Sequence, residues 1–142
     1  MRWLSKIVPK ARVLALSPDG RSLCLYNDVN RTVSEIEKFS SKDAKIYPEF
    51  ASSFARIGGV LAPLISMTPP SIDQPTAADL WQLGKVGLAF GGLGKKDEYR
   101  LLRWGPMAVA DLVGEWFETE LLRATVAARG INGAFAGPWS AG

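Results

Sequence analysis

One short stretch has the residue types of a phosphate-binding loop, GGLGKK at residues 91–96. A Walker loop requires the pattern G-x-x-x-x-G-K-[ST]. Ala89 stands where its first glycine should be, and Lys96 stands where its Ser or Thr should be. A dinucleotide-binding G-x-G-x-x-G fails as well, because Asp97 occupies the position of the last glycine. We therefore predict a solvated turn in this stretch.

A second stretch concentrates carboxylates near one predicted helix junction: Asp111, Glu115, Glu118 and Glu120. The first three are spaced by four and three residues, so a continuous helix would place them on one face. Paired carboxylates can perform acid–base catalysis when their environments differ. Here they alternate with apolar residues such as Leu112 and Trp116, a pattern typical of a solvated face beside an apolar stripe. We interpret the row as that solvated face.

The chain has one cysteine, Cys24, and no histidine. A single cysteine excludes an internal disulfide, and the lack of histidine excludes a Ser-His-Asp arrangement. A zinc site is not expected, because such sites draw on several Cys and His ligands. Cys24 lies in the apolar run SLCLY, which favours a small buried hydrophobic side chain over a reactive thiol. We assign no catalytic residue and no metal ligand.

Length and composition predict one globular domain of 142 residues, 47% of them hydrophobic. The net charge of +3 arises in residues 1–50, which hold nine Lys or Arg against six Asp or Glu. Such a dilute excess does not predict a nucleic-acid partner. No apolar run reaches the roughly 20 residues that span a bilayer. We expect a cytoplasmic protein, with a membrane-peripheral or organellar location as the alternatives.

The N-terminal third predicts a β-hairpin followed by helices. In RVLALSPDGRSLCLYND, Pro18 and Gly20 form a turn between two apolar runs. Thr32 with Glu35 resembles a capping box that opens a short helix, and Ser40 with Asp43 repeats the signal. A longer helix follows, in which Pro48 introduces a kink or a new start and Gly58-Gly59 with Pro63 mark the end. Its apolar face has helical spacing: Tyr47, Phe50, Phe54, Ile57 and Leu61.

The remaining sequence predicts three further helices. A proline-rich break near residues 66–76 precedes a helix over Ala77–Phe90. Pro106 suits the first turn of the next helix. Thr119 is a candidate cap for the last helix, which Gly130 ends. The fold class is therefore α+β, mostly α-helical with an N-terminal β-hairpin. We divide the chain into a hairpin segment, 1–30, and a helical segment, 31–142.

Four segments together carry a family resemblance: DGRSLCLYND, EIEKFSSKDAKIYPEF, LISMTPP and ADLVGEWFETELLRATVAARGINGAFAGPWSAG. They resemble the middle of FAD-dependent oxidoreductases related to phytoene desaturases and carotenoid isomerases. The subgroup is the pyridine nucleotide-disulfide oxidoreductase domain-containing protein 2 type. The resemblance extends over nearly the whole chain, and FSSKDAKIYPEF and WFETELLRATVAARGINGAFAGP are its most specific parts.

The resemblance implies a substrate-domain (cap-domain) fragment of a two-domain flavoprotein. FAD is the cofactor of the full-length family, but this chain lacks the glycine fingerprint of the FAD domain, so no cofactor is expected for it alone. The implied partners are an apolar, carotenoid-like small molecule and the missing FAD domain, and exposed apolar surface would favour oligomers or aggregates. We expect the substrate and domain seam to be formed by Trp104, Met107, Trp116, Phe117, Phe135, Gly137, Pro138 and Trp139. The alternative is a non-enzymatic helical protein-interaction module.

Overall fold

The computed structural model describes residues 11–69, 73, 76–132 and 136–140. Within these residues, two strands are followed by six helices, which confirms the mostly helical α+β class with an N-terminal hairpin. The fold divides into two compact units. The described residues of Met1–Ala51 and Pro106–Gly142 form the first unit, and Ser52–Gly105 form the second.

The hairpin consists of β1, Ala11–Leu16, and β2, Ser22–Tyr26, paired antiparallel. Gly20 has a φ of +84°, and its N–H donates to the Ser17 carbonyl at 3.0 Å. Glycine adopts this left-handed conformation without a steric penalty, which is why the turn forms at SPDG. On β2, Leu23 and Leu25 are 1% and 3% exposed, so one face of the hairpin packs into the core of the first unit.

The first helix, α1, covers Val29–Glu37 and begins earlier than predicted. Its cap is Asp28, whose side chain accepts from the Asn30 N–H at 2.9 Å. The interpretation of Thr32 as the cap was wrong. Thr32 is fully buried, its hydroxyl accepts from the Tyr26 N–H at 2.9 Å, and it donates to the Asp28 carbonyl at 3.0 Å. The hydroxyl therefore joins the end of β2 to the helix.

The second helix, α2, runs without interruption over Ser41–Ser66. Ser40 caps it as predicted, because its hydroxyl accepts from the Asp43 N–H at 3.1 Å. The helix does not start anew at Pro48, and the predicted end at Gly58-Gly59 was wrong. Val60, beyond the glycine pair, is buried, so packing outweighs the low helix propensity of glycine.

The core of the first unit is built around Phe117, which is 2% exposed. It lies directly after α5, Val109–Trp116, and before α6, Glu120–Gly130. The Phe117 ring packs edge-on against Phe50 of α2, with 4.9 Å between the centroids. Other buried side chains of this unit include Leu23, Ile36 and Leu122. Each fully buried side chain of this size contributes about 1.5–3 kcal/mol.

A buried carboxylate, Asp43, fixes the turn between α5 and α6. Asp43 is 0% exposed and accepts from the backbone N–H groups of Glu118 at 2.9 Å and Thr119 at 2.8 Å. Beside it, the Ser40 hydroxyl donates to the Glu118 carboxylate at 2.7 Å, and Lys42 Nζ lies 3.1 Å from the same group. We call these four side chains, Ser40, Lys42, Asp43 and Glu118, the Asp43 clamp.

The second unit contains the rest of α2 from Ser52, α3, Ala77–Gly91, and α4, Lys95–Trp104. The prediction for α3 is confirmed to within one residue, and Thr76 with Asp79 forms its capping box. The helix α4 was not predicted. It begins after Gly94, whose φ is +79°.

Asp97 is a buried carboxylate of the second unit and is 3% exposed. Its carboxylate accepts from Arg56 Nε at 2.5 Å and Arg100 Nη1 at 3.3 Å. Arg100 also donates to the Ser53 hydroxyl at 2.6 Å. The hydrogen bond from Arg56, assisted by that from Arg100, lowers the pKa of Asp97 against the opposing effect of burial. These bonds connect α4 to α2 within this unit.

We predict that Asp43→Asn lowers the free energy of unfolding by about 2–3 kcal/mol, because charge-assisted bonds to two buried N–H groups are lost or weakened. The measurement is urea denaturation followed by circular dichroism. Asp111→Asn, at an exposed carboxylate, is the matched control and should change stability by less than about 0.5 kcal/mol. Equal effects of the two variants would contradict the role given to Asp43.

We also predict a pH effect from Asp97. Because its pKa is lower in the folded state, the stability it contributes is present above its ordinary pKa of about 3.9 and is lost as the pH falls through the folded value. Asp97→Asn should therefore reduce stability at neutral pH and flatten its decline in acid. Urea denaturation over a pH series measures this, with Glu98→Gln in the same helical turn as control. An unchanged pH profile would refute it.

Candidate functional site

A groove between α5 and α6, with a volume of about 880 Å³, lies in the first unit. We call it the α5–α6 groove. Small residues form much of its lining: Ala110 and Gly114 from α5, and Ala124, Ala127 and Ala128 from α6. Larger apolar side chains complete it, namely Met107, Val113, Ile131, Pro138 and Trp139. The lining is therefore mostly apolar, as in small-molecule sites.

The two helices approach closely at one end of the groove. A Cβ atom built on Gly130, the last residue of α6, would lie 2.7 Å from Cγ2 of Val109, the first residue of α5. That distance is shorter than any normal carbon–carbon contact, so only glycine fits without movement of Val109. At the other end, the Asp43 clamp holds the turn through the N–H groups of Glu118 and Thr119. Both ends of the helix pair are thus constrained.

Thr119 occupies the predicted cap position of α6, but its side chain makes no capping hydrogen bond. The carboxylate of Asp43 accepts from the Thr119 N–H itself, so it lies beside the start of α6. Negative charge at a helix N-terminus is stabilising because it faces the positive end of the helix dipole. The same carboxylate disfavours a second anion at this terminus.

The C-terminal segment is attached to α5 by a backbone hydrogen bond. The Ala110 N–H donates to the Pro138 carbonyl at 2.9 Å, which satisfies a donor in the first turn of α5. A tight turn follows, in which the Ser140 N–H donates to the Gly137 carbonyl at 3.0 Å and the Ser140 hydroxyl accepts from the Gly137 N–H at 3.1 Å. This turn carries Trp139 at the groove, with 73% of the residue exposed.

Charged side chains surround the apolar lining: Asp111, Glu115, Glu120 and Arg123. Arg123 is directed to the backbone, because Nε donates to the Phe117 carbonyl and Nη2 to the Gly114 carbonyl at 3.5 Å. Asp111 and Glu120 lie in the first turns of α5 and α6, where the helix dipoles favour carboxylates. The four lining charges therefore carry a net charge of about −2 at neutral pH.

The predicted row of acids is divided by the fold. Glu118 lies beyond the end of α5, so it does not share a helix face with Asp111 and Glu115. Its carboxylate accepts hydrogen bonds from Ser40 and Lys42. Both bonds lower the pKa of Glu118, and the bond from Ser40 has the larger effect. Glu118 belongs to the clamp, whereas Asp111 and Glu115 belong to the groove.

The residues expected at the substrate and domain seam lie in different places. Met107, Pro138 and Trp139 line the groove, and Gly137 forms the adjoining turn. Phe117 is in the core of the first unit, where the ring of Trp116 packs against Phe50 at 5.5 Å. Trp104 belongs to the second unit and stacks on Phe54 at 5.2 Å, and Phe135 lies outside the described residues.

Sequence reasoning missed the contribution of α6 to the groove. Ala124, Ala127 and Ala128 recur at helical spacing, which is the signal that could have identified a small-residue face. Arg123 gave no such signal, because its carbonyl partners become neighbours only after the chain turns. The glycine-rich stretch is exposed to solvent where α4 begins, at Gly94, Lys95 and Lys96.

Among the described residues, no group of three or more His, Cys, Asp and Glu side chains is arranged to hold a metal ion. Within the same residues, no helix combines the length and apolar character needed to cross a membrane. In the described part of the chain, the α5–α6 groove is suited to binding an apolar group.

Comparison with known proteins gives several matches, among them a rat and a mouse protein of the same name. The chain is 29% identical over 137 residues to the rat (Rattus norvegicus) protein named pyridine nucleotide-disulfide oxidoreductase domain-containing protein 2, covering 89% of this chain and 23% of the rat protein. The mouse (Mus musculus) protein of the same name is 27% identical over 132 residues, which is 86% of this chain and 22% of that protein. The chain thus spans less than a quarter of these relatives. No protein-family model matches, and no solved structure matches significantly.

We predict that Gly130→Ala destabilises the helix pair by about 1 kcal/mol net, since overpacking of about 1–3 kcal/mol exceeds the helix-propensity gain of about 1 kcal/mol. Gly58→Ala is the matched control. It introduces the same methyl group inside α2, where nothing lies within 4 Å, and should stabilise by about 0.5–1 kcal/mol. Thermal denaturation measures both. Stabilisation by Gly130→Ala would show that Val109 and Gly130 do not pack as described.

Proposed function

We propose that the chain is a substrate-domain portion of an FAD-dependent oxidoreductase that acts on an apolar, carotenoid-like substrate. The observation that carries the proposal is the similarity over 137 residues to the rat pyridine nucleotide-disulfide oxidoreductase domain-containing protein 2. Because the matched part is only 23% of that protein, the remaining sequence has room for a complete nucleotide-binding domain.

The residues of this chain do not fit the pyrophosphate of FAD. Such a group is held by a glycine-rich strand–turn–helix unit whose helix N-terminus faces the phosphates. The sequence contains no G-x-G-x-x-G, and the N–H groups of Glu118 and Thr119, just before α6, donate to Asp43. We therefore derive no reaction step through the flavin here, and we assign its binding to the remainder of a longer protein.

The role of this chain is to bind and orient the apolar part of the substrate in the α5–α6 groove. The apolar lining excludes water from that part, and the small residues of α5 and α6 let it approach the helix backbones. Trp139 supplies a large flat surface at the edge of the groove. Hydride transfer itself is cofactor chemistry, so a binding surface without a histidine base is compatible with a substrate-binding role.

A second candidate, a helical protein-interaction module, is favoured by α3. None of its residues is buried, and its exposed apolar side chains include Leu80, Trp81, Leu83 and Leu88. Exposed apolar surface of this extent marks a contact surface for another polypeptide. The same surface would be covered by the remainder of a longer enzyme under the first proposal, so the two candidates require a direct test.

The test compares this chain with a chimera in which it replaces the matching segment of the rat protein. We expect the chain alone to retain no FAD after desalting, and we expect the chimera to retain as much FAD as the rat protein does under the same conditions. Flavin absorbance per mole of protein is the measurement. If the chain alone retained stoichiometric FAD, the proposal that the cofactor site lies outside this chain would be wrong.

A control separates a failed chimera from a failed proposal. Circular dichroism and light scattering establish first that the chimera is folded and monodisperse. A folded chimera without flavin, beside a rat protein that holds flavin, would contradict the oxidoreductase proposal. Sharp melting and a defined oligomer of the chain alone, together with that result, would favour the interaction module.

A further inference from the structure

We propose that the α5–α6 groove binds a small molecule with an apolar body and a positively charged end. The inference rests on the proposed function in one respect, because it treats the same groove as a substrate site. It adds the charge of the ligand, which neither the sequence similarity nor the apolar lining supplies.

The size of the groove favours a small molecule over a polypeptide partner. Its volume of about 880 Å³ lies within the range of about 300–1,000 Å³ typical of small-molecule pockets. Its length is limited as well, because α5 has only eight residues. At one end, the close approach of Gly130 to Val109 leaves no space between the two helices. A bound helix would need a longer continuous trough.

The apolar body of the ligand is indicated by the lining. Ala124 and Ala127 of α6 face the groove with Gly114 of α5, so a ring or chain can lie against the backbone. Trp139 stands at the edge with its ring largely exposed, held by the Ala110 to Pro138 hydrogen bond. An exposed indole in a fixed turn is an efficient surface for an apolar group.

The charged side chains at the groove indicate that the ligand has a positive end. The lining has three carboxylates, Asp111, Glu115 and Glu120, and one cation, Arg123. Arg123 donates to the carbonyls of Phe117 and Gly114, so part of its hydrogen-bonding capacity is directed away from a ligand. A cation is attracted by the carboxylates and by the face of the Trp139 ring, whereas an anion is repelled.

Anion binding is further disfavoured at the turn between α5 and α6. The backbone N–H groups of Glu118 and Thr119, which would otherwise attract a phosphate or carboxylate, already donate to Asp43. The groove therefore combines an apolar lining with charged residues of which three are acidic and one is basic. Such a combination selects ligands by charge as well as by hydrophobicity.

Three matched probes test the charge directly: (4-phenylbutyl)trimethylammonium, neutral 4-phenyl-1-butanol and anionic 4-phenylbutyrate. Binding to the purified chain is followed by two-dimensional ¹H–¹⁵N NMR, with the amides of Gly114 and Ala124 and the Trp139 indole N–H as reporters. We expect the cation to bind about tenfold more tightly than the alcohol, equivalent to about 1.4 kcal/mol, and the anion to bind most weakly. Added salt should reduce the preference for the cation.

Variants locate the effect. The double change Asp111→Asn with Glu120→Gln should reduce the preference of cation over alcohol to about twofold or less while leaving the alcohol affinity unchanged. Glu37→Gln, at an exposed carboxylate of α1 outside the groove, is the matched control and should preserve the tenfold preference. Trp139→Leu should weaken the cation more than the alcohol. The dispersion of the NMR spectrum shows in each case that the variant is folded.

The outcomes separate this inference from the proposed function. If the alcohol binds at the groove reporters as tightly as the cation, the charge inference is overturned and the apolar substrate site stands. If none of the probes shifts the groove reporters in the folded chain, both the charge inference and the groove as a substrate site are overturned. A tenfold preference that persists in the double variant would also refute the role of the carboxylates.

Discussion

The first unit depends on a single buried carboxylate that bonds to backbone 75 residues away along the chain. Asp43 is inaccessible to solvent, and both of its oxygens accept from N–H groups, those of Glu118 and Thr119. A charge removed from water is tolerated only when hydrogen bonds replace its hydration. Here the donors that replace water belong to the turn that starts α6. The hydrogen bonds that satisfy the carboxylate therefore also set the direction of α6. The position of Phe117, immediately before these donors, follows from it.

The second unit satisfies its buried carboxylate in a different way. Asp97 bonds to the guanidinium groups of Arg56 and Arg100, so its partners are charged side chains and not backbone. Side-chain partners can rearrange more easily than backbone N–H groups, which are fixed by the helix they start. Asp43 therefore specifies a backbone path, whereas Asp97 specifies which helices lie together. The groove belongs to the first unit, whose buried carboxylate is bonded to backbone N–H groups.

Local sequence signals predicted the features that local forces decide. The turn at Gly20, the helix over Ala77–Phe90 and the end of α6 at Gly130 all follow from short-range conformational preferences. The failures have one cause in common. Thr32 was read as a cap because of Glu35, but its hydroxyl is used by the end of β2, and Gly58-Gly59 did not end α2 because Val60 is buried beyond it. In each case tertiary packing outweighed the local preference.

The groove could not be predicted in the same way, because each of its constraints joins residues that are distant in sequence. Asp43 reaches Glu118 and Thr119, Pro138 reaches Ala110, and Gly130 accommodates Val109. Two of these residues also carry a local sequence signal: Asp43 indicates a helix start, and Gly130 indicates a helix end. Each has a second role that its local signal conceals. A residue with both a local and a distant role tolerates fewer substitutions than a residue with one role. At position 43, for example, Asn would keep the helix start but weaken the turn between α5 and α6. The shape of the groove thus rests in part on residues that do not line it, such as Asp43 and Gly130, whereas the lining determines which ligand is bound.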